Sequence, residues 1–173
     1  MNRRHLLASL PAVFAASSFA AVADSKLRVA VIGHTGRGNY GHGLDTMWLK
    51  IPAVEIVAVA DADDKGLKGE LKKLAVEKGY ADYHTMLAEV KPDIVAIGPR
   101  HIDQHRDMLL AAIQAGARGI YIEKPFCRSL AEADEIIAAA EKAGTKIAIA
   151  HRAYRPGIMV GRALAHQTHE RAR

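Results

Sequence analysis

Hydrophobic residues occur along the chain in short unbroken runs, and turns rich in Gly, Pro and Asp separate the runs. They predict five strands, over residues 27–32, 54–60, 93–98, 119–123 and 146–150. A run without polar alternation is typical of a strand that is covered on both faces, as in a parallel sheet.

Between these strands, apolar residues recur at helical spacing. The pattern predicts a helix that opens at Asp63-Asp64 and is closed by Gly79, and further helices over 44–49, 85–90, 104–115 and 129–144. Because strands and helices alternate, the sequence predicts an α/β fold: a doubly wound, Rossmann-like parallel sheet with right-handed crossovers and helices on both faces.

Glycines crowd the residues that follow the first strand, at positions 33, 36, 38, 41 and 43. Glycine lets the backbone approach a ligand closely. If a helix begins there, its free N–H groups and positive dipole end suit a pyrophosphate. The segment is therefore interpreted as the phosphate turn of a dinucleotide-binding fold, with Gly33, Gly36 and Gly38 as the binding glycines.

The spacing departs from the usual G-x-G-x-x-G, because Thr35 stands where the second glycine is expected. Gly36 then provides the close approach, and the Thr35 hydroxyl or the Arg37 guanidinium reaches a phosphate oxygen. The alternative is a glycine-rich loop that binds no ligand.

Asp61 ends the second predicted strand, 23 residues after Gly38. In this fold an acid at that point accepts hydrogen bonds from the adenosine ribose and repels a 2′-phosphate. The sequence therefore predicts NAD as the cofactor, while the nearby Lys65 leaves NADP possible. The alternative is a helix-capping aspartate, a role for which Asp63 is better placed.

Glu123-Lys124-Pro125 ends another strand, at the sheet edge where open α/β folds bind ligands. A lysine beside a cofactor can exchange a proton with a substrate hydroxyl. Pro125 can fix the backbone, with a cis Lys124–Pro125 bond as one option. The alternative for this motif is a simple turn.

These motifs together resemble the Gfo/Idh/MocA oxidoreductases, the relatives of glucose-fructose oxidoreductase and inositol dehydrogenase. The resemblance covers residues 27 to about 156 and implies an NAD(P)-dependent oxidoreductase that acts on a sugar or polyol. It implies nucleotide binding at the glycine turn and Asp61, and proton transfer at Lys124. A different reductase with a G-x-x-G-R turn is the weaker option, since E-K-P argues against it.

Two loops extend the resemblance. Residues 98–101, GPRH, resemble the family's T-P-N-H segment near the cofactor, with departures at its first and third positions. This likeness implies cofactor contacts from Pro99 and His101, and Glu123 of the E-K-P motif is expected to add a further cofactor contact. His151, followed by an arginine, resembles the family's polar residue near the nicotinamide, which implies that His151 and Glu123 orient the reacting lysine.

The first 23 residues have a basic start at Arg3-Arg4, an apolar middle and a small-residue cleavage site. They are interpreted as an export signal of the twin-arginine type, which predicts a periplasmic protein. An ordinary secretory signal or an amphipathic N-terminus is the alternative. The apolar part is too short and too rich in Ala and Ser to span a membrane.

Composition excludes several classes of function. The formal net charge of +5 falls to +3 once Arg3 and Arg4 are removed, and the basic residues are scattered, which argues against nucleic acid. No stretch after residue 24 is apolar enough to span a bilayer. His101 and His105 lack the Glu of an H-E-x-x-H motif, so the sequence predicts no metal site.

The predicted organisation is a signal over 1–23, a nucleotide-binding Rossmann domain over 24–156 and a truncated tail over 157–173. Family members continue into a second α/β domain that forms the other wall of the substrate site and carries most subunit contacts. The sequence therefore gives no basis for a prediction of the oligomeric state. It leaves open a catalytically inactive nucleotide-binding fragment, or a module that needs a partner domain.

Overall fold

The structure, a computed structural model, describes residues 26–151. The strands are β1 (Leu27–Ile32), β2 (Val54–Ala60), β3 (Gly79–Tyr80), β4 (Ile94–Ile97), β5 (Gly119–Glu123) and β6 (Lys146–Ala150). The helices are α1 (Asp64–Leu74), α2 (Tyr83–Val90), α3 (His105–Gln114) and α4 (Leu130–Ala143), with 3-10 helices at Met47–Lys50 and Ile102–Gln104. None of the helices in this part of the chain has the length and hydropathy to cross a bilayer.

The two predicted end segments, the signal over 1–23 and the tail over 157–173, lie outside the described residues. The predicted domain over 24–156 is described from 26 to 151.

All strands belong to one sheet in the order β3-β2-β1-β4-β5-β6, and every neighbouring pair is parallel. This is the strand order of the doubly wound Rossmann fold, which confirms the predicted class. Because β1 lies between β2 and β4, the chain winds outward in opposite directions from that point. Such a switch leaves a crevice at the carboxyl ends of the strands, where ligands bind.

Both faces of the sheet are covered, which explains the unbroken apolar runs. Successive residues of β1 point to opposite faces, and its last four residues are buried. Ala30 and Ile32 pack in a cluster with residues of α2, α3 and α4, whereas Val29 and Val31 pack with α1 residues and with Tyr40 and Trp48. The second face is thus covered by one helix and by the segment that follows β1.

No helix begins at the glycine turn among the described residues 33–43, while the short helical stretch predicted over 44–49 is found in part. Among residues 33–53, all of which are described, the helical element is the 3-10 helix Met47–Lys50. Gly36, Gly38, Gly41 and Gly43 have φ angles of +84°, +95°, +65° and +86°, which a right-handed helix excludes. The segment that follows the turn therefore provides no α-helix N-terminus to it, and the backbone and side chains of residues 33–53 act there instead.

The expectation that Gly79 closes α1 is also wrong. The helix ends at Leu74, Ala75 follows in the left-handed conformation, and Gly79 begins β3. A two-residue strand is too short to leave a hydrophobic pattern. As expected, the Asp63 side chain caps α1, where it accepts a hydrogen bond from the Gly66 N–H at 2.6 Å.

Candidate functional site

An open cavity of about 630 Å³ lies at the carboxyl ends of β5 and β6. Lys124, Glu123 and His151, the residues predicted to be catalytic, all line it. The glycine segment, defined here as residues 33–43, contributes His42 and Gly43, and an apolar wall is formed by Leu44, Met47, Tyr121 and Ala150. The cavity therefore joins the glycine segment to the lysine through the segment's second half.

Glu123 is the buried centre of this site, since its side chain is 1% exposed. Its Oε2 accepts a hydrogen bond from the His42 N–H at 2.9 Å and lies 2.9 Å from His42 Nδ1. Its Oε1 accepts from the Lys124 N–H at 3.0 Å. Burial raises the pKa of Glu123, but the hydrogen bonds from His42 and Lys124 outweigh it and hold that pKa below its usual range. The carboxylate is therefore a fixed negative charge at neutral pH.

The loop after β4 is fastened to the loop after β5 by His105, which is fully buried. His105 Nδ1 lies 2.7 Å from the Pro125 carbonyl oxygen, and Nε2 lies 2.7 Å from that of Pro99. Pro99 is buried and contacts the site through His105, whereas His101 is exposed. The Lys124–Pro125 bond is cis. Each ring nitrogen of His105 thus lies within hydrogen-bond distance of a carbonyl oxygen. Neither nitrogen is left to bind a metal together with His101.

The first half of the glycine segment is partly covered by protein. A Cβ added to Gly33 would lie 2.1 Å from Cε1 of Tyr40, and one added to Gly38 would lie 2.3 Å from the Arg100 nitrogen. A Cβ added to Gly36 would meet no atom within 4 Å. Open backbone is thus found at Gly36, where the sequence placed the close approach to a ligand.

Thr35 and Asp61 were predicted as separate ligand contacts, and the structure joins them to each other. The Asp61 carboxylate is 1% exposed and accepts from the Thr35 N–H at 3.0 Å and from the Thr35 hydroxyl at 2.7 Å. Asp61 also lines a cavity of about 160 Å³ with Gly33. Its charge therefore lies at the end of β2, as predicted, while it holds the glycine turn in place. The Arg37 guanidinium is paired with Asp103.

A third cavity, of about 510 Å³, lies on the α1 side of the glycine segment and contains a charge cluster that sequence reasoning missed. Lys73 pairs there with both Asp45 and Glu70, whose side chains are 3% and 7% exposed. Burial, together with the Asp45 carboxylate, raises the pKa of Glu70 to about 7. The only sequence signal for this charge cluster was the three-residue spacing of Glu70 and Lys73. That spacing is just as typical of an ion pair on an exposed helix face.

Glu70→Gln is expected to stabilise the protein more at pH 8 than at pH 5. The unfolded Glu70 releases its proton near pH 4.3, whereas the folded one keeps it to about pH 7, so stability falls as pH rises between these values. The free energy of unfolding of Glu70→Gln relative to the natural chain should rise by about 1–3 kcal/mol across this range. Urea unfolding at both pH values measures it. Glu77→Gln, an exposed control, should give no such change, and parallel behaviour of the two variants would contradict the pKa of Glu70.

Comparison with known proteins decides the family. The family model described as "Oxidoreductase family, NAD-binding Rossmann fold", Gfo/Idh/MocA, matches residues 27–151. The chain belongs to this family. The match begins at β1 and ends at His151, so it includes the whole sheet and every predicted site residue. The resemblance proposed from E-K-P and the glycine turn is confirmed.

Relatives of this Gfo/Idh/MocA chain include named dehydrogenases. D-apiose dehydrogenase of Paraburkholderia graminis is 38% identical over 120 residues, which cover 68% of this chain and 31% of that protein. Trans-1,2-dihydrobenzene-1,2-diol dehydrogenase of Xenopus tropicalis is 32% identical over 94 residues, which cover 53% and 28%.

A solved structure gives the same result. The oxidoreductase from Agrobacterium radiobacter in complex with NAD+, L-tartaric acid and magnesium superimposes with a TM-score of 0.64 at 25% identity, and the match covers 73% of this chain and 35% of that one. The chain therefore spans about a third of the length of these proteins.

Proposed function

We propose that this chain provides the cofactor domain of an NAD(P)-dependent oxidoreductase that moves a hydride between nicotinamide and a hydroxyl-bearing carbon of a sugar or polyol. The observation that carries the proposal is the shared cavity of Lys124, Glu123 and His151 beside the glycine segment. The relatives named as dehydrogenases of D-apiose and of a dihydrodiol support the substrate class.

The residues present fit a dinucleotide. Free space lies over Gly36, and the Tyr40 hydroxyl is buried without a hydrogen-bond partner among the described residues. Orphaned buried hydroxyls are costly unless a ligand or water satisfies them. Backbone and side chains of the turn would hold the phosphates and ribose, namely Gly33, Thr35, Gly36, Arg37, Gly38 and Asp61. The loops at the other strand ends would contribute Pro99, His101 and Glu123.

When bound, the cofactor supplies the site that accepts or donates hydride. Lys124 then exchanges the proton of the substrate hydroxyl, because its exposed side chain lines the cavity. Glu123 positions Lys124 through the hydrogen bond that its carboxylate accepts from the Lys124 backbone N–H. His151, on the neighbouring strand end, faces the same cavity and orients the substrate hydroxyl.

NAD is expected to bind at least about tenfold more tightly than NADP, because the Asp61 charge repels a 2′-phosphate. Calorimetric titration of the full chain with each dinucleotide measures the ratio. In Asp61→Asn, which keeps the side-chain shape, the preference should shrink. Asp64→Asn, at an exposed position of α1, is the control. A preference for NADP in the natural chain, or an unchanged ratio in Asp61→Asn, would refute this role.

We further propose that the protein is exported by the twin-arginine route into the periplasm. Support comes from the Arg3-Arg4 pair, the apolar middle and the small residues before Asp24. Expression should yield a periplasmic product whose N-terminus is Asp24. Arg3→Lys together with Arg4→Lys should leave precursor in the cytoplasm. Unchanged export of that double variant would point to an ordinary secretory signal instead.

A further inference from the structure

His42 is held beside Glu123 by a tight piece of backbone. It lies between Gly41 and Gly43, whose φ angles are +65° and +86°. A Cβ added to Gly41 would lie 2.6 Å from Glu123 Oε2 and 2.7 Å from the Gly98 carbonyl oxygen. Only glycine fits this approach, so the loop is built to bring the His42 N–H and imidazole onto the Glu123 carboxylate.

The partner of His42 determines which ring nitrogen carries the proton. Glu123 is ionised at neutral pH, and an ionised carboxylate can only accept hydrogen bonds. The 2.9 Å contact between His42 Nδ1 and Glu123 Oε2 is therefore donated by Nδ1–H. In the neutral imidazole, the lone pair then lies on Nε2.

The other edge of the ring is open. The His42 side chain is 52% exposed and lines the same cavity as Lys124 and His151. Within residues 26–151, no protein atom forms a hydrogen bond with Nε2. A buried carboxylate that fixes one nitrogen, with the second nitrogen left to the cavity, is the arrangement by which a histidine is oriented to accept a proton.

We propose that His42 is a second proton-transfer residue of this cavity, which accepts through Nε2 the proton relayed by Lys124 and releases it to solvent. This inference rests on the proposed function. The Lys124 ammonium gives one proton to His42 Nε2. The resulting neutral amine accepts the proton of the substrate hydroxyl, whose O–H bond breaks. The C–H electron pair leaves as hydride to the oxidised nicotinamide dinucleotide, and a carbonyl forms. His42 returns to its neutral state by giving the proton to water.

The histidine tautomer tests the inference without turnover. Long-range ¹H–¹⁵N spectra of the full chain, assigned with His42→Asn, should show neutral His42 protonated at Nδ1 and bare at Nε2. Neutral His42 with its proton on Nε2 would overturn the proposal. Calorimetric titration of the same sample with NAD separates the two failures. If NAD does not bind, the proposed function fails; if NAD binds and Nε2 carries the proton, only the role of His42 fails.

Kinetics provide the second measurement. In His42→Asn an amide N–H replaces Nδ1–H toward Glu123, but no proton acceptor replaces Nε2. With a polyol and NAD, kcat should fall at least about tenfold while KM changes less than about threefold, since proton transfer and not binding is lost. His84→Asn, at an exposed position of α2, is the control and should keep both constants. An unchanged kcat in His42→Asn would overturn the proposal.

Discussion

Lys124→Met is expected to lower the turnover of a polyol by about 10²- to 10⁴-fold, the range that general acid–base groups contribute. Methionine keeps the length and apolar stem of the side chain but cannot carry a proton. NAD affinity should stay within about threefold, because Lys124 is not among the residues expected to hold the nucleotide. Steady-state rates over a panel of sugars and polyols, with calorimetric titration of NAD, measure both effects.

Lys146→Met is the matched control, since Lys146 is exposed at the opposite end of the sheet, at the start of β6. It should leave turnover unchanged. Full turnover in Lys124→Met would show that this lysine does not relay the proton. NAD binding without turnover in the natural chain would favour the alternative of a nucleotide-binding module that needs a partner domain.

Gly38→Ala is expected to destabilise the protein by about 2–5 kcal/mol, the sum of backbone strain and overpacking. Its φ is +95°, and an added Cβ would lie 2.3 Å from the nitrogen and 2.8 Å from the Cα of Arg100. A clash with backbone atoms cannot be relieved by a change of side-chain rotamer. The glycine segment would therefore have to move away from the loop after β4. Urea unfolding measures the loss.

Gly36→Ala separates the two causes. Its φ is +84°, close to that of Gly38, but an added Cβ would meet no atom within 4 Å. Only the left-handed backbone is penalised there, at a cost of about 1–2 kcal/mol. Gly38→Ala should therefore be clearly less stable than Gly36→Ala. Equal losses would mean that the loops after β1 and β4 are not packed as tightly as the structure shows.

The sequence predicted the sheet well where strands form mostly apolar runs of five or more residues. The bounds of β1, β2, β5 and β6 agree with the predicted runs, because turn-forming or polar residues directly follow each run. It failed at β3, which has only two residues. It also failed after β1, because glycine occurs in helices as well as at positive φ, and composition does not distinguish the two.

The site was predicted where it depends on strand ends. Lys124, Glu123 and His151 end or follow neighbouring parallel strands, so topology brings them together. His42 and His105 were missed as site residues because their partners are distant in the chain: Glu123 is 81 residues from His42, and Pro125 is 20 from His105. Contacts between residues so far apart in the chain leave no local spacing pattern in the sequence.

A crystal structure of the full chain with NAD tests the central claim most directly, namely that the glycine segment and Lys124 serve one bound dinucleotide. We predict that the diphosphate lies over Gly36 and that the nicotinamide ring lies in the cavity lined by His42, Lys124 and His151. A nicotinamide ring outside that cavity, or a diphosphate away from the glycine segment, would contradict the claim.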